Sequence, residues 1–286
     1  MVFKIILGTV QLGLDYGINN GLGKPSEKVA HTILKEAFNH GIRTLDTAEA
    51  YGNSEELIGN YHRKCSEKFS VITKFHLHEG KKASEIIDNA LKNLGVNSIE
   101  TLFFHSFKDY QSNPEILKEL AKEVAKGRIG ELGVSVYTNN EIEALLPVEE
   151  IKVIQAPFNL LDNHSKRAEV FRKAKLSEKK IYVRSIFLQG VFFMPLNSLP
   201  EKLIPLKPSL ERIHQIVKTT GISINTLAVK YALSKDYIDG VLVGVDSVAQ
   251  LNENLNAIEE VVPDGILSQI DMIVVENELI LNPTYW

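Results

Sequence analysis

Short apolar runs rich in β-branched residues alternate with amphipathic helical segments eight times along this chain. That alternation limits the fold more than any other feature, because apolar strands separated by helices imply a parallel sheet covered by helices. The runs are Phe3–Leu7, Arg43–Asp46, Phe69–Thr73, Ile99–Phe104, Leu132–Val136, Lys152–Ala156, Ile181–Arg184 and Gly240–Val243. Between them, helical spacing is marked by local stop and start signals. Val29, Ile33, Leu34, Ala37 and Phe38 form one face closed by Gly41, and Ser84 and Gly95 bound a later helix. Asn113-Pro114 opens another, Thr138 and Glu141 fit a capping box, and Ser247 starts a helix after the eighth run. A longer insertion after the seventh run is broken by Pro195, Pro200, Pro205 and Pro208, and a last helix is expected around Ile266–Val275.

Eight such units without a linker or low-complexity break predict an α/β chain folded as one (β/α)8 TIM barrel domain over residues 1–286. The competing doubly wound sheet usually carries a glycine fingerprint after its first strand. Here Gly8-Thr9-Val10-Gln11-Leu12-Gly13 does not match G-x-G-x-x-G, and Gly23-Lys24 fails as a phosphate-binding loop. The 286 residues carry 32 basic and 36 acidic side chains, a net charge of −4 that argues against a nucleic-acid or anionic-membrane partner. Cys65 is the single cysteine, and the N-terminus lacks a cleavable leader pattern, so a reducing cytoplasm is the expected compartment. No apolar stretch has the length of a membrane span.

In a barrel, reactive side chains sit where strands end and the following loops begin. Asp46 ends the second run and Tyr51 follows in its loop; Lys74 ends the third, and His105 follows the fourth. Singly, each has an ordinary explanation: a helix cap, a packing aromatic, a surface lysine, a loop histidine. Jointly, four titratable groups from neighbouring strands point into one mouth. Two other chemistries compete. His76-Leu77-His78 brings two imidazoles close, but the later strand ends offer no further histidine, so no metal is expected. Lys74 as a Schiff-base lysine needs a depressed pKa, and Asp46 and Tyr51 beside it suit proton transfer better.

The segment Gly41-Ile42-Arg43-Thr44-Leu45-Asp46-Thr47-Ala48-Glu49-Ala50-Tyr51-Gly52, continuing through Ser54-Glu55-Glu56-Leu57-Ile58-Gly59, resembles the second strand of the aldo-keto reductase family. Ile72-Thr73-Lys74 and the stretch from Leu91 to His105 are similar to the family's lysine and histidine segments. The resemblance continues through Gly133-Val134-Ser135, Gln155 with Asn159, Gly190, and the segment from Val241 to Leu255. It implies reduction of a small aldehyde or ketone by a nicotinamide cofactor held without a Rossmann domain. A cofactor-binding sensor or scaffold with little catalysis is the alternative within the same fold.

The chemistry suits these residue types. A carbonyl receiving hydride becomes an alkoxide and needs a proton, which Tyr51 can donate. A free phenol has a pKa of about 10, and the Lys74 ammonium is expected to lower it, with Asp46 as the lysine's counter-charge. His105 can donate a hydrogen bond to the carbonyl oxygen. By resemblance, Ser135 and Gln155 bind the nicotinamide carboxamide, and Arg184 stands where an aromatic often stacks under that ring. A guanidinium can also stack on a flat ring, and a substrate-anion ligand or a structural ion-pair partner is the competing reading of Arg184, because arginine suits carboxylate and phosphate recognition. The diphosphate is expected near Gly190 and the amides opening the helix at Ser247, with Gly244 permitting close approach. Gln250 and Asn254, one helical turn apart, face the adenosine end. Asp246 stands near the expected 2′ position, where a carboxylate repels a phosphate and accepts from a hydroxyl. The resemblance favours NADPH, and Asp246 keeps NADH admissible. Tyr16, Phe107 and the tail ending in Trp286 are expected around the substrate. Asp15, Lys108 and Asp109 point to a polar keto compound such as a keto-sugar.

Overall fold

Eight parallel strands follow one another around a closed barrel: β1 (Ile5–Gly8), β2 (Thr44–Asp46), β3 (Ser70–Phe75), β4 (Ile99–Phe104), β5 (Ile129–Ser135), β6 (Ile151–Pro157), β7 (Lys180–Arg184) and β8 (Gly240–Gly244). The ring closes where β8 pairs with β1, Gly244 opposite Gly8. This computed structural model describes residues 4–18, 20–21, 23–77 and 82–286. Each expected run falls on a strand; β4 matches at both ends and the others shift, most at β5, which starts at Ile129 rather than Leu132. Phe3 lies outside the described residues. Among the described residues no helix is long and apolar enough to cross a membrane.

The helices start where local chemistry says they should. Asn113 accepts from the Ile116 amide, Thr138 and Glu141 close their capping box, and Ser247 accepts from the Gln250 amide. Each side chain satisfies an amide that a helix N-terminus otherwise leaves unpaired. Gly41 and Gly95 take the left-handed conformation expected past a helix end. Four details differ. In the helix Glu27–Asn39, Val29 is exposed and Ala30 takes the inward place beside Ile33, Leu34 and Ala37. The helix Ala83–Leu94 starts after Lys82, with Ser84 already inside it and no side-chain cap. Pro208 lies in the first turn of Lys207–Thr220, where its missing N–H is no loss. The helix Asp264–Asp271 stops short of Val275.

Alternation along the strands connects the core to the mouth. Ile6, Ile72, Phe103, Val153, Tyr182 and Leu242 form a buried cluster of their own, separate from the larger core beneath the helices. Side chains two residues apart lie on the same face of a strand. Two positions further along each of these six strands stand Gly8, Lys74, His105, Gln155, Arg184 and Gly244. An apolar plug thus fills the lower barrel, and the next inward layer carries the polar side chains of Lys74, His105, Gln155 and Arg184. Glycines make room for the large plug residues: a Cβ on Gly133 would lie 2.5 Å from the Phe103 ring, and one on Gly240 would lie 2.7 Å from Tyr182.

Candidate active site

A cavity of about 580 Å³ opens at the C-terminal end of the strands. All twelve side chains and glycines expected at the site line it, from Asp46 and Tyr51 on one wall to Asp246 and Asn254 on the other. At its floor Asp46 and Lys74 are buried, 2% and 1% exposed, and in direct contact. Lys74 Nζ donates to Asp46 Oδ1 and, at 3.0 Å, to the Thr47 carbonyl. The other carboxylate oxygen, Oδ2, accepts from Gln155 Nε2 at 2.8 Å. The buried ion pair is therefore also hydrogen-bonded, the condition under which such a pair is tolerated away from water. Burial pushes the Lys74 ammonium down from the usual lysine range, and the Asp46 charge opposes that shift.

The Lys74 ammonium lies over the Tyr51 ring, 5.1 Å from its centroid, and the His105 ring meets Tyr51 edge-on at 5.8 Å. The expected acidification of Tyr51 does not occur in the protein alone. Burial, reinforced by the Asp46 charge, holds the phenol above its ordinary value, while Arg184 pulls in the opposite direction. Burial is the main cause, and the Lys74 ammonium expected to act on the phenol is itself paired with Asp46 in direct contact. His105 is pushed down to about 3, first by burial and then by the Lys74 charge, so it is a neutral imidazole. Its Nδ1 is buried without a hydrogen-bond partner among the described residues. Tyr51 reaches this position because two glycines let its loop pass close to the loop after β1. A Cβ on Gly13 would lie 1.9 Å from the Tyr51 carbonyl oxygen, and Gly52 takes a φ of 59°.

The opposite wall is less internally satisfied. Ser135 and Gln155 face each other in the β5–β6 register, and Gln155 Oε1 is buried with no partner among the described residues. The Arg184 guanidinium carbon lies over the Tyr137 ring, 4.2 Å from its centroid, and the group donates to the Val136 carbonyl at 3.1 Å. Beyond it the chain turns through a run of left-handed residues, Ser185, Leu188, Gln189 and Gly190. At the far end Gln250 binds Asp246 twice, accepting from its backbone amide at 2.8 Å and donating to Oδ2 at 3.4 Å. Burial raises the Asp246 carboxyl, and its Oδ1 has no partner among the described residues. Gly244 lets the Gln11 side chain close on the strand, since a Cβ there would lie 2.5 Å from the Gln11 amide.

Several functional contacts escape sequence reasoning. Thr9, Thr47 and Ser54 join their hydroxyls in a buried network that ties the β1 loop to the end of β2. Their positions directly after two strands are the only signal, and it is weak. His76 stacks flat on His105, centroids 4.3 Å apart, with its Nδ1 2.9 Å from Asp109 Oδ2. The pairing explains why Asp109 does not line the cavity, although it was expected near the substrate. Phe107 likewise packs beside Tyr110 instead of lining the cavity. Tyr16, Pro283 and Thr284 do line it. His78 lies outside the described residues, and among those described no group of three or more His, Cys, Asp or Glu could hold a metal ion. Asn159, expected near the nicotinamide, braces its own turn, accepting from the Leu161 and Asp162 amides and donating to the Ser185 carbonyl.

Comparison with known proteins agrees with this architecture. The sequence profile of the Aldo/keto reductase family matches residues 4–275, so the chain belongs to that family, whose members are oxidoreductases. It is 24% identical to the Schizosaccharomyces pombe aldo-keto reductase yakc, whose name specifies NADP(+), over 89% of this chain and 85% of the relative. It is 22% identical to the Escherichia coli L-glyceraldehyde 3-phosphate reductase, over 96% of this chain and 90% of that protein. The holo form of a Bacillus halodurans aldo-keto reductase superposes with a TM-score of 0.75 at 21% identity, covering 96% of this chain and 94% of that one.

Proposed function

We propose that the protein reduces the carbonyl group of a small polar aldehyde or ketone, a keto-sugar among them, using NADPH or NADH. The observation that carries this reading is the convergence of Asp46, Lys74, Tyr51 and His105 on one cavity. The residues present suit a nicotinamide dinucleotide. The unpartnered Gln155 Oε1 matches the amide donor of a carboxamide, with Ser135 beside it. The unpartnered Asp246 Oδ1 matches a ribose hydroxyl. The left-handed Gly190 and the amides opening the helix after Ser247 suit a diphosphate, and Gln250 and Asn254 flank the adenosine end. When bound, the cofactor supplies the hydride.

The remaining work falls to the chain. Tyr51 keeps its proton at neutral pH and stands ready to donate it to the forming alkoxide. Neutral His105, with Nδ1 unpartnered, carries its one N–H on Nε2 and orients the carbonyl oxygen. The Lys74 ammonium borders the Tyr51 ring, 5.1 Å from its centroid, and is held there by Asp46, which Gln155 fixes in turn. The same contacts disfavour a lyase role, because a Schiff base needs a free lysine lone pair and Lys74 Nζ is committed to Asp46 and Thr47. The test is a fluorescence titration with each cofactor, followed by an absorbance assay of cofactor oxidation over a panel of polar aldehydes and ketones. Saturable binding with turnover is expected; no binding of either cofactor would remove the reading.

A further inference from the structure

We propose that Arg184 is an oxyanion subsite and that the substrate is a carbonyl compound carrying a carboxylate or phosphate group. The inference rests on the carbonyl-reductase reading and names its substrate class. Two arginines near the mouth are treated in opposite ways. Arg167, fully buried, binds both oxygens of Asp162 at 2.6 and 2.7 Å, and also the Tyr137 carbonyl and Asn139. Arg184 lines the cavity and makes one good hydrogen bond, to the Val136 carbonyl, with Ser185 Oγ only at 3.5 Å. Among the described residues it has no carboxylate partner. A guanidinium has five N–H donors in a fixed fork, so most of this one's capacity is unused. The guanidinium is nevertheless held: its carbon lies over the Tyr137 ring, 4.2 Å from the centroid, and the Val136 carbonyl accepts from it. A held guanidinium with free donors in a concave site is the arrangement that recognises planar or tetrahedral oxyanions.

Charge bookkeeping across the cavity agrees. Asp46 and Lys74 cancel, and His105 is neutral. Arg184 is then the unbalanced charge at the reaction end. Arg184 ends β7 and reaches across to the Val136 carbonyl just past the end of β5, in the cavity that Tyr51, Lys74 and His105 also line, whereas Asp246 follows β8 and is held by Gln250. Arg184 thus stands beside the reacting carbonyl and away from the adenosine end, which favours a substrate oxyanion over the cofactor's diphosphate.

Matched pairs decide between them: succinic semialdehyde against butanal, and glyceraldehyde 3-phosphate against glyceraldehyde. For Arg184→Met the charged-to-neutral ratio of kcat/KM should fall by about 10- to 100-fold, the range for losing a charge-assisted hydrogen bond. Arg184→Lys should recover part of it, because the charge returns without the fork. The pair with the larger ratio in the wild type identifies carboxylate or phosphate. Calorimetry gives a second readout: succinate or inorganic phosphate should bind the NADPH-loaded wild type and bind Arg184→Met at least tenfold more weakly. Equal losses on charged and neutral substrates overturn the proposal, as does a loss of NADPH affinity matching the loss of turnover, which would assign Arg184 to the cofactor. Binding of both succinate and inorganic phosphate that is absent, or unchanged in the variant, overturns it too. Succinate binding lost in Arg184→Met in a protein that reduces no carbonyl would support the subsite and break the reductase reading instead.

Discussion

The two walls of the cavity are finished to different degrees. On the wall from β2 to β4, the buried ion pair is closed by Gln155 and Thr47 and hydroxyls bond hydroxyls, with His105 Nδ1 left as an unpartnered atom facing the cavity. On the wall from β5 to β8, Gln155 Oε1 and Asp246 Oδ1 are buried without partners, and Arg184 has donors to spare. A buried polar group left unsatisfied costs about 1–3 kcal/mol, so a folded protein retains such groups where a ligand completes them. On the proposed function, the first wall serves proton transfer and the second receives the cofactor and substrate.

The largest expected effect falls on the finished wall. Tyr51→Phe should lower kcat by about 10²–10⁴-fold, the usual contribution of a positioned acid. Cofactor affinity, read by fluorescence titration, should be nearly unchanged; retention of more than about a tenth of wild-type turnover would mean that another group supplies the proton. Next, Lys74→Met leaves Asp46 buried and uncompensated, which should cost about 3–5 kcal/mol of stability as well as activity. Adding Asp46→Asn should restore much of the denaturation midpoint but not the turnover. If both recover, the pair is structural alone.

A smaller effect concerns pH. The pKa of His105 lies near 3 in the folded protein, below the ordinary 6.5 that the unfolded chain resumes. On acidification the unfolded state takes up the proton first, so stability held above about pH 6.5 is lost progressively toward pH 3. Melting curves of wild type and His105→Gln across this range should differ in slope, the variant being flatter; parallel curves would place the imidazole in contact with solvent. The smallest effect tests the receiving wall. Asp246→Ser should tighten NADPH by roughly 1 kcal/mol through lost repulsion, with less change for NADH. Equal shifts in the two dissociation constants would show that Asp246 does not face the 2′ position.

What the sequence made legible follows the range of the interactions involved. Caps at Asn113, Thr138 and Ser247 act over a few residues, and all three are where they were expected. The strand runs were legible because each needs only its own apolar continuity. The short helices Val10–Gly13 and Phe107–Ser112 were not, since they lie in mouth loops and have little apolar periodicity of their own. The strand-end rule found Asp46, Lys74 and His105, and their shared inward parity with Ile72 and Phe103 would have strengthened it. The bond from Gln155 to Asp46 spans 109 positions, and the Arg184–Tyr137 stack joins two different strand ends. No local pattern encodes either one. The suppressed acidity of Tyr51 was missed for a related reason: it depends first on the burial of the phenol and then on the nearby Asp46 charge, which only the closed barrel reveals.

The Gln155 bond also has a consequence in time. Asp46 and Lys74 leave the ribosome early, but the side chain that satisfies the second carboxylate oxygen follows 109 residues later. At synthesis rates of about 5–20 residues per second, that interval is some seconds. During it the nascent chain has the charges of its reaction centre and lacks the amide that lets them be buried together. A half-made barrel therefore has reason to keep this pair hydrated and its mouth open until β6 arrives, and the ring is sealed only when β8 docks on β1.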